Sequence, residues 1–160
     1  MTTPDCADDA DGVNTHALAH QIRLLALHMV SRGGASHIGS VFSAADIIAV
    51  LYGRILNVEP SAPKKPDRDR FIMSKGHACA GVYAVLAARG FFPESVLDTF
   101  YQDNSSLCGH MCHRAAPGIE LSTGSLGHGL PVACGMAYAA KLASKKHRVI
   151  VLSGDGECNE

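Results

Sequence analysis

Ser153-Gly154-Asp155-Gly156-Glu157 follows the apolar run Val149-Ile150-Val151-Leu152 without a break. Two glycines around an aspartate permit a tight turn whose backbone N–H groups can approach a phosphate closely. The Asp155 carboxylate is the hard oxygen donor that Mg²⁺ takes when it also holds phosphate oxygens. Taken alone, the same residues read as an ordinary Asp-Gly turn. The chain carries nine histidines. Four of them adjoin glycine or serine: Ser36-His37, Gly76-His77, Gly109-His110 and Gly127-His128. An imidazole can donate to a diphosphate or a substrate hydroxyl and can move protons near neutral pH. Any one of them also reads as a surface or core histidine, and spacing alone does not unite them.

Thr123-Gly124-Ser125-Leu126-Gly127-His128-Gly129 is a glycine-rich loop entering a small-residue segment. A helix N-terminus there would attract an anion. The loop has neither the glycine spacing of a dinucleotide site nor the Gly-Lys-Ser/Thr ending of a P-loop. Cys108-Gly109-His110-Met111-Cys112-His113 concentrates thiols and imidazoles. A structural zinc site needs a second ligand pair a dozen or more residues away, and none lies there. The segment therefore reads as a thiol-bearing loop, with a zinc-binding module as the alternative.

The elements that must position these groups follow from hydrophobic spacing. Leu18, Ile22, Leu25 and Met29 predict a first helix closed by Gly33-Gly34. Ser43 and Asp46 suggest a cap for a second, with Ile47, Leu51 and Ile55 as its stripe. Residues 59–69 hold three prolines and read as a loop. Arg70-Phe71-Ile72-Met73 reads as a short buried strand. A third helix carries Val82, Val85 and Leu86 before Gly90, and Pro93 opens a fourth with Val96, Leu97 and Phe100 inward. Residues 102–125 form a long polar loop, a length that is usually functional. Residues 126–144 read as a helix of small residues, and Val149–Leu152 as a strand buried on both faces of a parallel sheet. Strands separated by helices predict an α/β fold, a mostly parallel sheet flanked by helices.

With 160 residues, 47% of them hydrophobic and 18% charged, the chain can bury a core as one domain. The absence of Trp and the 6% aromatic content argue against a base-stacking surface. The formal charge is −1, and Asp5, Asp8, Asp9 and Asp11 make residues 1–14 an acidic, flexible tail. The mildly basic remainder suits a small anion better than nucleic acid. No apolar run approaches the roughly 20 residues of a membrane span, and the start of the chain does not read as a secretory signal. The six cysteines read as reduced thiols of a cytoplasmic protein.

Several stretches together resemble the N-terminal, diphosphate-binding half of transketolase, especially its split-subunit form. They are Ser36-His37-Ile38-Gly39, Ser43-Ala44-Ala45-Asp46-Ile47, Asp69-Arg70-Phe71-Ile72-Met73-Ser74-Lys75-Gly76-His77, Gly109-His110, Glu120–Gly127 and Leu152–Gly156. The resemblance covers about residues 16–160 in the family's order and implies that 15–160 form the N-terminal part of a thiamine-diphosphate-binding domain. It implies thiamine diphosphate with Mg²⁺ or Ca²⁺, and transfer of a two-carbon ketol unit between sugar phosphates. Residue by residue, Asp155 resembles the metal ligand, and Gly154 and Gly156 flank it at the diphosphate. His77 resembles the diphosphate-facing histidine, and Gly124, Ser125 and Leu126 the cofactor-lining turn. His37 and His110 match histidines near the substrate hydroxyls. Glu160 matches a glutamate at the subunit interface that links two cofactor sites.

The chain departs from the family's pattern in carrying Ser125 where many full-length members have Pro, His128 for Gln, and the Cys/His-rich 108–114 segment. It ends before the family's second metal ligand, an Asn, and lacks the pyrimidine-binding half, so it reads as an incomplete fold, either a truncated part of a longer chain or a natural fragment. A pyrimidine-binding domain or subunit, in a homo- or hetero-oligomer, is the implied partner. The rival readings are another thiamine-dependent ketol or acyl transferase of secondary metabolism, and a non-catalytic fragment that binds a partner chain.

Overall fold

The computed structural model describes residues 12–160. The four tail aspartates and Cys6 lie outside the described residues. Helix α1 spans Thr15–Gly33. Asn14 caps it by accepting the Ala17 N–H at 2.9 Å, and Gly34 closes it at φ 61°, a left-handed turn that glycine adopts without steric cost. Leu18, Ile22 and Met29 are buried as the spacing requires, while Leu25 is half-buried.

Helix α2 spans Ile38–Val50, nearly two turns earlier than the expected Ser43 cap allows. Ser43 lies inside the helix, its hydroxyl donating to the Ser40 carbonyl at 3.0 Å. The buried face is formed by Val41, Ala44, Ala45, Ile48 and Ala49. Of the expected stripe only Leu51 is buried; Ile47 is 48% and Ile55 40% exposed. A π turn over Leu51–Ile55 adds a residue to the last turn and shifts its phase. By length and composition, Ile38–Ile55 is apolar enough to cross a membrane, contrary to the expectation from the sequence. A core helix passes the same test, and this one packs against α1 and α3.

Helix α3, Cys79–Ala88, is buried from Cys79 through Ala87, the all-round apolarity of a helix enclosed in a core. The segment after Pro93 is a short 3₁₀ turn, Glu94–Thr99, rather than a helix. It still buries Leu97 and Phe100, and the chain then breaks direction at Tyr101, whose φ is 58°. Helix α4 is Gly129–Leu142, shorter at both ends than expected because Gly127 and Ser144 take positive φ.

Strands β1, Arg70–Met73, and β2, Val149–Leu152, pair in parallel with Arg70 opposite Val149 and Met73 opposite Leu152. β1 buries Phe71, Ile72 and Met73. β2 is half-buried throughout, contrary to the expectation of burial on both faces. Among the described residues it pairs with β1 alone, so its other edge is open. Helices α1, α2 and α3 pack on one another, and α4 packs against both strands. The Tyr52 and Phe71 rings, 5.6 Å apart, join the end of the α2 segment to the sheet.

Asp69 sets the strand register. Its buried carboxylate accepts the Asn57 N–H at 2.9 Å, the Arg148 N–H at 2.7 Å and the Arg148 Nε–H at 3.0 Å. Burial opposes the charge, but the Arg148 side chain and the two backbone N–H groups outweigh it and hold the pKa below the usual carboxylate value. Asp69→Ala orphans those donors and should cost about 1–3 kcal/mol in urea unfolding. Because the folded pKa is depressed, the ionised group's contribution is complete above the unfolded carboxylate pKa. It is lost as pH falls through the folded value. A variant as stable as wild type at neutral pH would refute the assignment.

Candidate functional site

β1 ends at Met73, and Ser74-Lys75 turn the chain into the 3₁₀ turn Gly76–Ala78 that leads α3. This places His77 beyond the carboxyl end of the strand, where ligands bind in open α/β sheets. His37 begins α2 with φ 70°, a left-handed conformation that a non-glycine residue adopts infrequently. His110 comes from the long loop. The three rings meet: His37 and His77 centroids lie 5.1 Å apart, and His37 and His110 6.0 Å. They line a cleft of about 80 Å³ with Ser36, Phe100, Tyr101 and Gly109.

Backbone bonds fix the loop that carries His110. Met111 N–H donates to the Gly76 carbonyl at 3.1 Å, and Thr123 N–H to the Met111 carbonyl at 3.1 Å. The Thr123 hydroxyl donates to the Met73 carbonyl at 2.7 Å. The buried Tyr83 hydroxyl reaches both the Cys108 carbonyl at 3.2 Å and the His110 carbonyl at 3.1 Å. Two glycines make the crossings possible. A Cβ on Gly76 would lie 2.0 Å from the Thr123 carbonyl oxygen, and one on Gly129 would lie 2.4 Å from Ser74 Oγ.

Burial pushes the His77 pKa down, and the positive charge of His37, Lys75 and His110 adds to the effect; the Glu157 carboxylate opposes it. Lys75 Nζ donates to the Ser40 carbonyl at 3.2 Å and to Ser43 Oγ at 3.1 Å, holding its charge beside the start of α2.

The other expected site residues surround this cleft at different ranges. Gly124 borders the His110 ring, whose Cδ2 would be 3.5 Å from an added Cβ. Gly154 faces the Lys75 stem at 4.0 Å on the same measure. Ser125, Leu126, Asp155 and Gly156 are exposed, the last two just beyond the carboxyl end of β2. Glu160 is exposed and packs on Gly127, where an added Cβ would lie 2.6 Å from its own Cβ. Among the described residues no group of three or more His, Cys, Asp or Glu is placed to hold a metal ion, so the thiol-rich loop has no zinc cage there.

Three contributors are absent from the expected site residues: Lys75, Tyr83 and Glu157, the first and last of which lie inside motifs that name their neighbours instead. Glu157 is 5% exposed, and neither carboxylate oxygen has a hydrogen-bond partner among the described residues. A glutamate directly after Gly-Asp-Gly is visible in the sequence, but its burial is not.

Residues 14–152 match the family model described as the transketolase, thiamine diphosphate binding domain. The chain is 43% identical over 150 residues to an apulose-4-phosphate transketolase subunit from Actinobacillus succinogenes, covering 94% of this chain and 54% of that protein. It is 38% identical over 142 residues to the 6-deoxy-6-sulfo-D-fructose transketolase subunit SqwG of a Clostridium species, covering 89% of this chain and 52% of that protein. The solved transketolase from Leishmania mexicana superposes with a TM-score of 0.87 at 36% identity, over 92% of this chain and 24% of that one. The chain thus spans about half the length of the subunit-type relatives it matches.

Proposed function

The chain belongs to the transketolase thiamine diphosphate binding domain family, and from that premise we propose that it is the diphosphate-binding part of a transketolase-type transferase. The reaction moves a two-carbon ketol unit from a ketose phosphate to an aldose phosphate. One observation carries the reading: imidazoles from three separate segments converge on one cleft, with centroids 5.1 and 6.0 Å apart, beside a glycine turn.

The donor set suits thiamine diphosphate. His77 and Lys75 offer N–H donors to an anion, and an added Cβ at Gly156 would meet nothing within 4 Å, so the turn after β2 is open to a ligand. His77, Gly124, Ser125, Leu126, Gly154 and Gly156 would hold the cofactor, and Asp155 would ligate Mg²⁺ or Ca²⁺. When bound, the cofactor supplies an electron sink for cleaving the bond beside a carbonyl. His37 and His110 orient the sugar by hydrogen bonds to its hydroxyls and take up or return protons there. Glu160 belongs to the interface through which a second protomer completes the site. The pyrimidine-binding half comes from another domain or another chain, and the relatives named as subunits support that reading. A cytoplasmic setting accords with the free thiols of Cys79, Cys108, Cys112, Cys134 and Cys158.

A second reading, transfer to or from a less common sugar, draws on the relatives named for apulose-4-phosphate and 6-deoxy-6-sulfo-D-fructose. The Cys/His-rich loop at the cleft would be its local cause. The test is mass-spectrometric detection of two-carbon transfer across a ketose and aldose panel, using the protein assembled with a pyrimidine-binding half. Product two carbons longer than the acceptor should appear only with thiamine diphosphate and a divalent cation. Tight assembly and cofactor binding without transfer from any donor would favour a non-catalytic role.

A further inference from the structure

The thiols of the 108–113 loop are not used by the reaction above, yet the same loop carries Gly109 and His110 into the cleft lining. The exposed Cys108 thiol donates to the His110 carbonyl at 3.2 Å, so it is turned along the loop toward Cys112. The half-buried Cys112 follows His110 by two residues, and one strand-like bridge, Met111 to Thr123, pins the chain between them. His113 anchors the far side, its N–H donating to Ser122 Oγ at 3.0 Å. The two thiols therefore bracket His110 in a loop held at several points.

The surroundings differ among the thiols. The Arg114 backbone N–H draws the Cys112 thiol below its ordinary pKa; burial opposes this, and the Ser122 hydroxyl, the Cys108 thiol and the Arg114 charge add to it. Cys79, whose thiol lies 3.6 Å from the Cys108 carbonyl, is buried, and burial pushes it up to about 12. A thiolate is the nucleophile in thiol–disulfide exchange, so Cys112 is suited to attack and Cys79 is not.

We propose that Cys108 and Cys112 form a dithiol site that low-molecular-weight disulfides oxidise to an intrachain disulfide, altering the setting of His110. The Cys112 thiolate attacks one sulfur of the small disulfide, forming a mixed disulfide and releasing one thiolate. The Cys108 thiol gives up its proton and attacks the Cys112 sulfur, forming the Cys108–Cys112 bond and releasing the second thiolate. Two protein thiols are oxidised by two electrons, and the small disulfide is reduced to two thiols, which take up the two protons. The S–H that donates to the His110 carbonyl is consumed, so that carbonyl keeps only the Tyr83 hydroxyl of these two donors.

The test incubates the full chain with oxidised glutathione and maps its cysteines by mass spectrometry. A Cys108–Cys112 disulfide, about 2 Da lighter than the dithiol, should form with no glutathione retained on Cys112. Cys108→Ser should trap glutathione on Cys112, since the resolving thiol is gone. Cys112→Ser should slow reaction at Cys108 by roughly ten-fold. Pairing through Cys6, Cys134 or Cys158, or glutathione kept on wild-type Cys112, would overturn the assignment. The wild-type map decides by itself if a variant folds poorly. Histidine ring NMR signals report the link to the cleft. Oxidation should shift the His110 signal in wild type and leave it in place in Cys108→Ser/Cys112→Ser, which can form neither the disulfide nor the adduct; an unmoved signal in the oxidised wild type refutes the coupling.

Discussion

Asp155→Ala in the assembled enzyme should abolish Mg²⁺-dependent retention of thiamine diphosphate. The exposed carboxylate stands just beyond the carboxyl end of β2, between two glycines that leave the turn free of other side chains. No other acid in the turn is placed to replace it: Glu157 is buried, and Glu160 packs on Gly127. A carboxylate that holds the metal directly should matter more than an outer-shell group, whose loss costs up to roughly 100-fold in affinity. Equilibrium dialysis with thiamine diphosphate across a Mg²⁺ series measures the loss. Wild-type activity of the variant at limiting Mg²⁺ would end the metal assignment.

The three cleft histidines should separate by kinetics. His77→Ala should weaken cofactor binding by about 1–3 kcal/mol, one charge-assisted contact, which is roughly 5- to 150-fold in Kd. His37→Ala and His110→Ala should instead lower kcat/KM for the sugar phosphate at saturating cofactor. Proton uptake gives an independent signature. Burial and the neighbouring cations favour neutral His77, whereas a bound diphosphate favours its imidazolium, so wild-type cofactor affinity should rise as pH falls toward the ordinary imidazole range. His77→Ala should flatten that slope. In the free protein the same depression acts in the opposite sense. The unfolded chain takes the proton first, so His77's contribution to stability is whole above the unfolded pKa and is lost as pH falls through the folded one. If all three are packing residues, each alanine variant loses thermal stability and none shows a selective kinetic effect. A raised cofactor requirement in His37→Ala with only a raised substrate KM in His77→Ala would reverse the roles.

Some of this is legible in the sequence because the cause is local. Arg70–Met73 and Val149–Leu152 are short apolar runs ended by turn residues, and they form the two strands with those bounds. The start of α2 is not legible. Ser43 and Asp46 imitate a cap, whereas the true start is a histidine in a left-handed conformation that hydrophobic spacing does not reveal. The Asp46 carboxylate instead pairs with Arg23 of α1. The cleft itself depends on contacts between distant segments. His37, His77 and His110 share no spacing rule, and only the family resemblance names them together; the rings meet in the fold. Lys75 and Tyr83 act through carbonyls on other segments, a relation that no local pattern encodes.

The glycine crossings have a mechanical consequence. Where Gly76 meets the Thr123 carbonyl and Gly129 meets Ser74, there is no slack for even one extra carbon atom. Close-packed backbone of this kind transmits displacement rather than absorbing it. The strand end, the His77 turn and the Thr123 region consequently behave as one stiff wall. Adaptation to ligands of different shape then falls to the opposite, solvent-facing side, where Ser36, His37 and Tyr101 are exposed. The site thus divides into a rigid reference surface and a compliant one. Substitutions on the compliant side can then reshape the cleft without disturbing the His77 turn.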